Sequence, residues 1–334
     1  MATINDVCKQ AGVSKATVSR VINGTGQVKS ATRQAVFDAM QALNFKPNRL
    51  AQALATNSSN SIGLIVSNFQ GNYFGTLLKQ AAKAAENAGK QLFVTDGHNN
   101  AQREMAAIDS LLERRCDAIV LYSRSLSQQD LSTLKARIAI PIVVINRQLQ
   151  DKNCHALCFD QQHAAQLAVN HLLEMRHTEI AYITSPLNAS TGKLRLKAYQ
   201  EALLQRNITL NPALIAEGEH TLSSGYTACK KILENAAPFT ALFASNDAMA
   251  IGAMKALSEA GIKVPDDVSL IAIDNDPISG FITPALSTVA LPVETLTVTA
   301  MQMALDLANA REVEPGNRLF KGKLIVRAST VIKE

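Results

Sequence analysis

Short apolar runs alternate with amphipathic segments along most of the chain. A first series occupies residues 62–66, 91–94, 118–121 and 142–145, and a second series occupies 179–183, 240–244 and 268–273. Helical periodicity fills segments between the runs, as in 104–114 and 247–260. Continuous apolar runs separated by helices are typical of parallel sheets covered on both faces, so the pattern predicts an α/β protein. Two successive series predict two similar, doubly wound subdomains with a cleft between them.

The first 45 residues show a different pattern, that of short helices joined by tight turns. Thr3 is expected to cap a helix, with Asp6 completing the cap and Gly12 supplying the turn that follows. Ser14 is expected to cap a second helix, and Ser30 a third that stops before residue 47. A helix, a turn and a second helix form the outline of a DNA-reading unit.

The second helix has an apolar side and a polar side. Its valines face inward at helical spacing, which leaves Lys15, Ala16, Ser19 and Arg20 pointing outward. Side chains in the N-terminal part of such a helix can reach base edges when the helix lies in a major groove.

Positive charge is concentrated in the first 60 residues. The whole sequence has 33 Lys and Arg against 28 Asp and Glu. The first 60 residues hold seven of the basic side chains and two of the acidic ones, so the remainder is neutral. The excess coincides with the predicted DNA-reading unit and favours contact with a phosphate backbone. A basic helical bundle with a solvated face is the alternative interpretation.

Residues 46–60 connect the two parts of the chain. Residues 47–55 can form about two helical turns, which is too short for a stable isolated helix. Residues 56–61 are a polar run typical of a linker. The segment can order against a DNA groove and a second copy of itself, or it can serve as a flexible tether, and the residues leave both alternatives open.

Composition and motifs argue against several classes of protein. No apolar run is long enough to span a bilayer, and the first residues lack a secretory signal, so we expect a cytoplasmic protein without a membrane partner. The five cysteines are scattered and are expected to be reduced thiols. Cys154, His155, Cys158 and His163 do not match zinc spacing, so no metal is predicted. No catalytic constellation is found, and we expect neither an enzyme nor a cofactor.

Polar side chains follow the apolar runs, at the strand ends where sheets of this type bind ligands. In the first series they lie at 72–74, 96, 123–124 and 146–147, and in the second at 185, 245–247 and 274–276. Carboxylates, amides and arginines can bind adjacent hydroxyls, and an aromatic ring can cover an apolar ring face. The set favours a small polyhydroxylated ligand, with a sugar first. Taken singly, Asp247 can be a helix cap and Asp96 can close a turn.

Four motifs carry a resemblance to a known family. They are VSKATVSRVIN at 13–23, KPNRLA at 46–51, SNDAMAIG at 245–252 and PALSTV at 284–289. Over essentially its full length the chain resembles the lactose/galactose repressor family of bacterial transcription regulators, and within it the galactose repressors and the repressors of aryl-β-glucoside operons. The resemblance implies a homodimeric repressor of a carbohydrate-utilisation operon, which binds near-palindromic operator DNA under allosteric control by a small sugar.

The resemblance also implies which headpiece residues contact DNA. Lys15, Ala16 and Arg20 would read bases. Other implied contacts, most of them to the backbone, are Ser14, Thr17, Asn23, Arg33 and Asn48. Leu54 would be the hinge-helix residue that inserts into the minor groove and kinks the DNA.

Eight effector-contacting positions follow from the same resemblance. They are Tyr73, Phe74, Asp96, Arg147, Arg195, His220, Asn246 and Asp274. His220 stands where the lactose-type pattern has an aromatic residue, so the stacking partner of a sugar ring is unassigned. Asn275 replaces the usual second residue of an aspartate pair.

The implied domains are a helix-turn-helix headpiece of residues 1–45 and a hinge helix and linker of 46–60. The effector-binding part comprises an N-subdomain, 61–160 plus 291–322, and a C-subdomain, 161–290 plus 323–334, both of periplasmic-binding-protein type. The chain ends at Glu334 without a heptad tail, which favours a dimer over a tetramer.

Two other interpretations stay open. The same architecture can respond to a purine or a phosphorylated sugar, because Arg147 and Arg195 can bind phosphate as well as hydroxyls. The chain can also be a sugar-binding or sugar-processing protein with an accessory basic headpiece.

Overall fold

The computed structural model describes residues 2–46 and 59–334. The first range folds into three helices, α1 (Ile4–Ala11), α2 (Lys15–Asn23) and α3 (Ser30–Ala42). They enclose a small apolar cluster of their own, centred on Val7, Val18, Val21, Val36 and Ala39. This part, the headpiece, therefore has a separate core.

The predicted caps of α1 and α2 are confirmed. Thr3 and Asp6 form a capping box, and the Ser14 side chain accepts a hydrogen bond from the backbone amide of Thr17. Gly12 ends α1 with φ of 65°, a left-handed conformation that favours glycine. The predicted cap at Ser30 is wrong. Lys29 is the N-cap residue of α3 and makes no side-chain hydrogen bond, while Ser30 is already helical and lies one position too late to cap.

The second range contains two six-stranded sheets. The first has the order β11-β5-β4-β3-β1-β2, and all its neighbouring strands are parallel. Its strands are β1 (Ser61–Val66), β2 (Gln91–Asp96), β3 (Ala118–Tyr122), β4 (Ile142–Ile145), β5 (His155–Phe159) and β11 (Gly316–Phe320). Residues of β1 and β3 are buried throughout, as expected of strands covered on both faces.

The second sheet has the order β12-β10-β9-β8-β6-β7. Its strands are β6 (Ile180–Thr184), β7 (Ile215–Glu217), β8 (Ala241–Ala244), β9 (Ser269–Asp274), β10 (Ser287–Ala290) and β12 (Lys323–Ile325). All pairings are parallel except that of β10 with β12. The two apolar series in the sequence thus correspond to two α/β subdomains, each built on a mainly parallel sheet.

Helices cover both sheets. They are α4 (Gly71–Asn87), α5 (Ala101–Glu113), α6 (Gln128–Arg137), α7 (Gln161–Glu174), α8 (Ser190–Gln205), α9 (Leu222–Glu234), α10 (Asp247–Glu259) and α11 (Val293–Ala308). Two 3-10 helices span Pro212–Leu214 and Pro277–Gly280. The chain passes between the sheets three times, from β5 to β6, from β10 to β11 and from β11 to β12. One apolar cluster contains buried residues of both subdomains, so they share a core next to the crossings.

Candidate functional site

The exposed face of α2 is the candidate DNA-reading surface. Lys15, Ala16 and Arg20 are exposed, whereas Val18 and Val21 are buried in the headpiece core. Gly24 ends the helix in a left-handed conformation, and Ser14 fixes its start. The outward position of the three residues therefore follows from how α2 packs.

The other predicted DNA-contacting residues lie near α2 in the sequence. The hydroxyls of Ser14 and Thr17 are 2.9 Å apart and hydrogen-bonded, and Asn23 donates to the Ser19 hydroxyl at 3.2 Å. Arg33 is exposed on α3. Asn48 and Leu54 lie outside the described residues.

A large cavity lies between the carboxyl ends of the two sheets. Its volume is about 750 Å³. The first subdomain lines it with residues that follow β1 to β5, and residues that follow β6 to β10 line the rest. In both sheets these positions include the place where the strand order reverses, between β1 and β3 and between β6 and β8. Ligands bind at this place in open α/β sheets.

The structure brings six of the eight predicted effector-contacting residues to this cavity. They are Tyr73, Phe74, Arg195, His220, Asn246 and Asp274. The positions following β3 and β4 contribute Arg124 and Asn146, which the resemblance did not assign. Their signal in the sequence was their place directly after an apolar run.

Asp96 and Arg147 do not line the cavity. β2 is the edge strand of the first sheet, and the Asp96 carboxylate at its end accepts a hydrogen bond from the His98 amide at 2.6 Å. It closes a turn, the local alternative for this residue. The Arg147 guanidinium donates to the carbonyl of Leu126. The effector contacts expected of Asp96 and Arg147 therefore have no support from the cavity lining and stay predictions.

Asp274 carries the carboxylate best placed to meet a ligand. It ends β9 with φ of 126°, a strained conformation for a residue other than glycine. Its side chain makes no hydrogen bond or ion pair with any other residue that the structure describes. Burial raises the pKa of Asp274 to about 7, although the nearby Arg195 guanidinium acts in the opposite direction. Strain and an unused acceptor are typical of a binding residue.

The turn after Asp274 is held by neighbouring side chains. The Asn275 side-chain oxygen accepts from the Arg327 guanidinium at 2.7 Å, so the second residue of the motif fixes the turn. Buried Asp247 accepts hydrogen bonds from the Asp276 amide and from the hydroxyls of Ser279 and Thr288. Burial raises the pKa of Asp247 to about 6. Asp247 thus supports the turn, and Asn246 is the residue that caps α10.

Arg195 lies at the bottom of the cavity with 3% of its surface exposed. Its Nε donates to the Gln161 side-chain oxygen at 2.9 Å, and its Nη1 donates to the Ser245 carbonyl. Burial lowers the pKa of Arg195. Neutral partners therefore hold the guanidinium near Asp274 without an ion pair to it.

Aromatic rings form the apolar part of the cavity. Tyr73 contacts Phe74, Tyr122 and Phe159 edge to face, with ring centroids 5.1, 6.2 and 6.3 Å away. Burial raises the pKa of Tyr73 well above its usual value, so its phenol stays protonated. These rings give the cavity an aromatic wall beside its carboxylate, amides and arginines.

Neither a metal site nor a helix that could cross a membrane is found in the described residues. Within residues 2–46 and 59–334, no group of three or more His, Cys, Asp or Glu is placed to hold a metal ion. In the same part of the chain, no helix has both the length and the apolar character needed to cross a bilayer.

Comparisons with known proteins agree with this arrangement. Residues 3–48 match the model of bacterial regulatory proteins of the lacI family, and residues 169–330 match a periplasmic binding protein-like domain. The chain is 41% identical over 333 residues to the HTH-type transcriptional regulator AscG of Escherichia coli K12, covering 99% of each chain. It is 37% identical over 329 residues to the regulator GalR of the same organism, covering 98% of this chain and 96% of GalR.

A solved structure shows the same architecture over the full length. The Lac repressor dimer bound to operator and an anti-inducer matches with a TM-score of 0.89 and 29% identity, covering 99% of each chain. The relatives named here are transcriptional regulators. The helix-turn-helix headpiece, the two parallel-sheet subdomains and these relatives together show that the chain belongs to the LacI family of bacterial transcription regulators.

Proposed function

We propose that this protein represses a carbohydrate-utilisation operon and releases or gains its operator when a sugar binds in the cavity between the subdomains. The observation that carries the proposal is the cavity itself. It lies at the strand ends of both sheets and combines hydrogen-bonding groups of the two subdomains with an aromatic wall. The headpiece of the same chain matches a family of bacterial regulatory proteins.

In this proposal the dimer places two headpieces on a near-palindromic operator. The exposed face of α2 enters the major groove, where Lys15, Ala16 and Arg20 meet base edges. Thr17, Asn23 and Arg33 contact the backbone and fix the register, and Ser14 and Asn48 also contact the DNA. Leu54 inserts into the minor groove.

The cavity chemistry favours an uncharged polyol. Asp274 offers an unused acceptor, Arg124 and Arg195 offer donors, and Asn146 and Asn246 offer amides. Two structural neighbours were solved with small ligands, the regulator CelR with cellobiose and the Lac repressor with ONPG. A purine or a phosphorylated sugar is the second candidate, because two arginines reach the cavity.

Control follows from linkage between the two sites. A ligand that binds one relative setting of the subdomains better than another shifts the dimer toward that setting, and the spacing of the two hinge segments changes with it. Chemistry is not needed for this role, so we propose a non-enzymatic protein that acts in the cytoplasm, where its operator is.

Thermal-shift measurements test the ligand class. Neutral sugars, sugar phosphates and nucleobases are compared at equal concentration, and a ligand at about 100 times its Kd should stabilise the fold by about 2.7 kcal/mol. Stabilisation by a neutral sugar, followed by a change in operator affinity, is expected. Stabilisation only by phosphates or nucleobases would favour the second candidate, and turnover of a sugar would favour an enzyme.

A further inference from the structure

A hydrogen bond between two side chains that line the cavity joins the two subdomains. Arg124 follows β3 in the first subdomain, and its Nη2 lies 3.0 Å from Nε2 of His220, which follows β7 in the second. Among the described residues, no other side-chain hydrogen bond joins the two subdomains across the cavity. We call this contact the cross-cleft bond.

The first subdomain holds Arg124 firmly in place. Glu104 on α5 has 1% of its surface exposed, and its carboxylate accepts from the backbone amides of Arg124 and Ser125, both at 3.1 Å. The Ser123 hydroxyl donates to the same carboxylate at 2.8 Å. Gly97 leaves room for Glu104, because a Cβ at Gly97 would lie 2.7 Å from the Glu104 Cγ. The loop that carries Arg124 is therefore fixed to α5.

The second subdomain fixes His220 in a similar way. The residue has φ of 60°, a left-handed conformation, and its carbonyl accepts from the Asn246 side chain at 3.2 Å. Thr221, the next residue, caps α9. Each residue of the cross-cleft bond is therefore held by its own subdomain, Arg124 through buried Glu104 and His220 through Asn246 and the start of α9. Because these supports do not depend on the bond, each loop should keep its conformation when the bond breaks.

The protonation state gives the bond a direction. Burial, with Arg124 and Arg195 nearby, lowers the pKa of His220 to about 3, so the ring is neutral near pH 7. The Arg124 guanidinium can only donate, and the neutral Nε2 therefore accepts. The remaining ring proton is on Nδ1.

We propose that the cross-cleft bond holds the two subdomains together in the ligand-free protein, and that an effector hydroxyl replaces it by accepting from Arg124 and donating to His220. A hydroxyl can do both at once, whereas a fully ionised anion such as sulfate can only accept and would leave the imidazole lone pair unmatched. Arg124 and His220 then select a neutral polyol over an anion at this end of the cavity. This selectivity rests on the proposed function, but the holding role does not.

Hydrogen exchange of the ligand-free, full-length protein tests the holding role. The two loops to follow are residues 123–127 and 218–222. R124Q should speed exchange in 218–222, and H220N should speed exchange in 123–127, each by about three- to tenfold, because each removes the tie to the opposite subdomain. Asparagine tolerates the left-handed backbone at 220 but is too short to reach Arg124. The double variant should add nothing to the faster single variant.

A matched pair serves as the control. Arg137 and Asp109 form an exposed ion pair of 2.7 Å within the first subdomain, and R137Q and D109N should leave both loops unchanged. If R124Q and H220N each affect only their own loop, or neither loop, the holding role is wrong. No sugar or DNA is used, so this failure differs from a failure of the thermal-shift comparison.

Sulfate tests the selectivity. It should leave the exchange of both loops in the wild-type protein unchanged, because it has no proton to donate to His220. Slower exchange in both loops that R124Q abolishes would mean that an anion occupies the pair, and the selection of a hydroxyl would then be wrong.

Discussion

Arg20 and Arg33 are both exposed cations of the headpiece, but they lie on different helices and are expected to do different work. Arg20 projects from α2, the helix proposed to enter the major groove, whereas Arg33 lies on α3. R20A should reduce discrimination between operator variants by about 1–3 kcal/mol, since a base contact is lost. R33A should weaken binding to all sequences and lower the slope of affinity against salt by about one.

Fluorescence anisotropy with operator and scrambled duplexes at several salt concentrations separates the two effects. R20A should lower the ratio of specific to non-specific affinity, and R33A should lower the slope of affinity against salt concentration. An equal loss for both duplexes with R20A would contradict its place at a base edge.

Asp274 should make the stability of the protein depend on pH. Its pKa is raised to about 7 in the folded state, against about 4 in an unfolded chain. Between these values the folded protein keeps a proton that the unfolded chain has released, so stability is complete below about pH 4 and falls as the pH rises to about 7. D274N lacks this dependence. Relative to D274N, the wild-type protein should lose about 2 kcal/mol between pH 4 and pH 8.

Denaturant unfolding of both proteins across this range measures the difference. A pKa that rises from about 4 to about 7 corresponds to about 4 kcal/mol. The expected loss of stability is smaller than this because the Asp274 side chain is only partly buried. Other titrating groups, including Asp247, are common to both proteins and cancel to first order. Parallel stability curves would mean that Asp274 is already ionised at low pH in the folded state.

Which residues reach the cavity was partly visible in the sequence. Asn246 and Asp274 follow apolar runs, and those runs became central strands whose ends face the cavity. Asp96 follows a run that became the edge strand, and Arg147 bonds a backbone carbonyl nearby. A position after a strand does not reveal the order of strands in the sheet or local hydrogen bonds. The bond between Arg124 and His220 joins residues 96 apart in sequence, and no local pattern indicates it.

Helices α9 and α10 pack through two glycines, and this contact should not tolerate a larger residue. A Cβ at Gly225 would overlap the backbone of Met249, and one at Gly252 would overlap the carbonyl of Leu222. Backbone atoms cannot move aside as a flexible side chain can. G225A and G252A should each lower the free energy of unfolding by about 3 kcal/mol, since the helices must separate.

Gly75 on α4 provides the control for this prediction. A Cβ there meets nothing within 4 Å, and alanine favours the helix, so G75A should be neutral or stabilise by about 0.5–1 kcal/mol. Thermal unfolding of the three variants is compared. Equal stability of G225A and G75A would mean that the two helices are not packed as closely as described.

Elements with an apolar run or a capping motif of their own were predictable, and strands that lack such a local signal were not. The long apolar runs became β1 and β9, and the cap signals of α1 and α2 were correct. The cap at Ser30 failed because a serine looks the same in the sequence whether it precedes a helix or begins one. Strands β7 and β12 span only Ile215–Glu217 and Lys323–Ile325, and only the last two residues of β11 (Gly316–Phe320) are apolar side chains. Sheet pairing forms these strands, so local periodicity gives little sign of them.

At the scale of the whole molecule, the two subdomains were predictable but their connection was not. Two series of apolar runs indicate two sheets. The chain, however, returns to the first sheet with β11 and to the second with β12 after both series of apolar runs have ended. Only the resemblance to a family implied such crossings, because β11 and β12 find their partners about 160 and 35 residues earlier in the chain. Non-local pairing of this kind leaves no periodic trace.

Sensing and DNA binding should be separable by mutation, because the headpiece has its own apolar core and the cavity lies between the two subdomains of the body. D274N keeps the shape of the side chain but removes the charge that would bind a ligand hydroxyl, so the effector should lose part of its preference for one setting of the subdomains. Moving operator occupancy from about 99% to about 1% needs a differential affinity of about 5.5 kcal/mol, and losing about 2 kcal/mol of it should leave occupancy at about 20% at saturating effector instead of about 1%. Operator affinity without effector should stay within about twofold of wild type.

D266N, on an exposed turn of the same subdomain, serves as the matched control and should respond normally. Operator binding of the wild-type protein, D274N and D266N is measured while the sugar identified by thermal shift is titrated in. Loss of operator binding in D274N together with an intact effector response would reverse the assignment of the two sites.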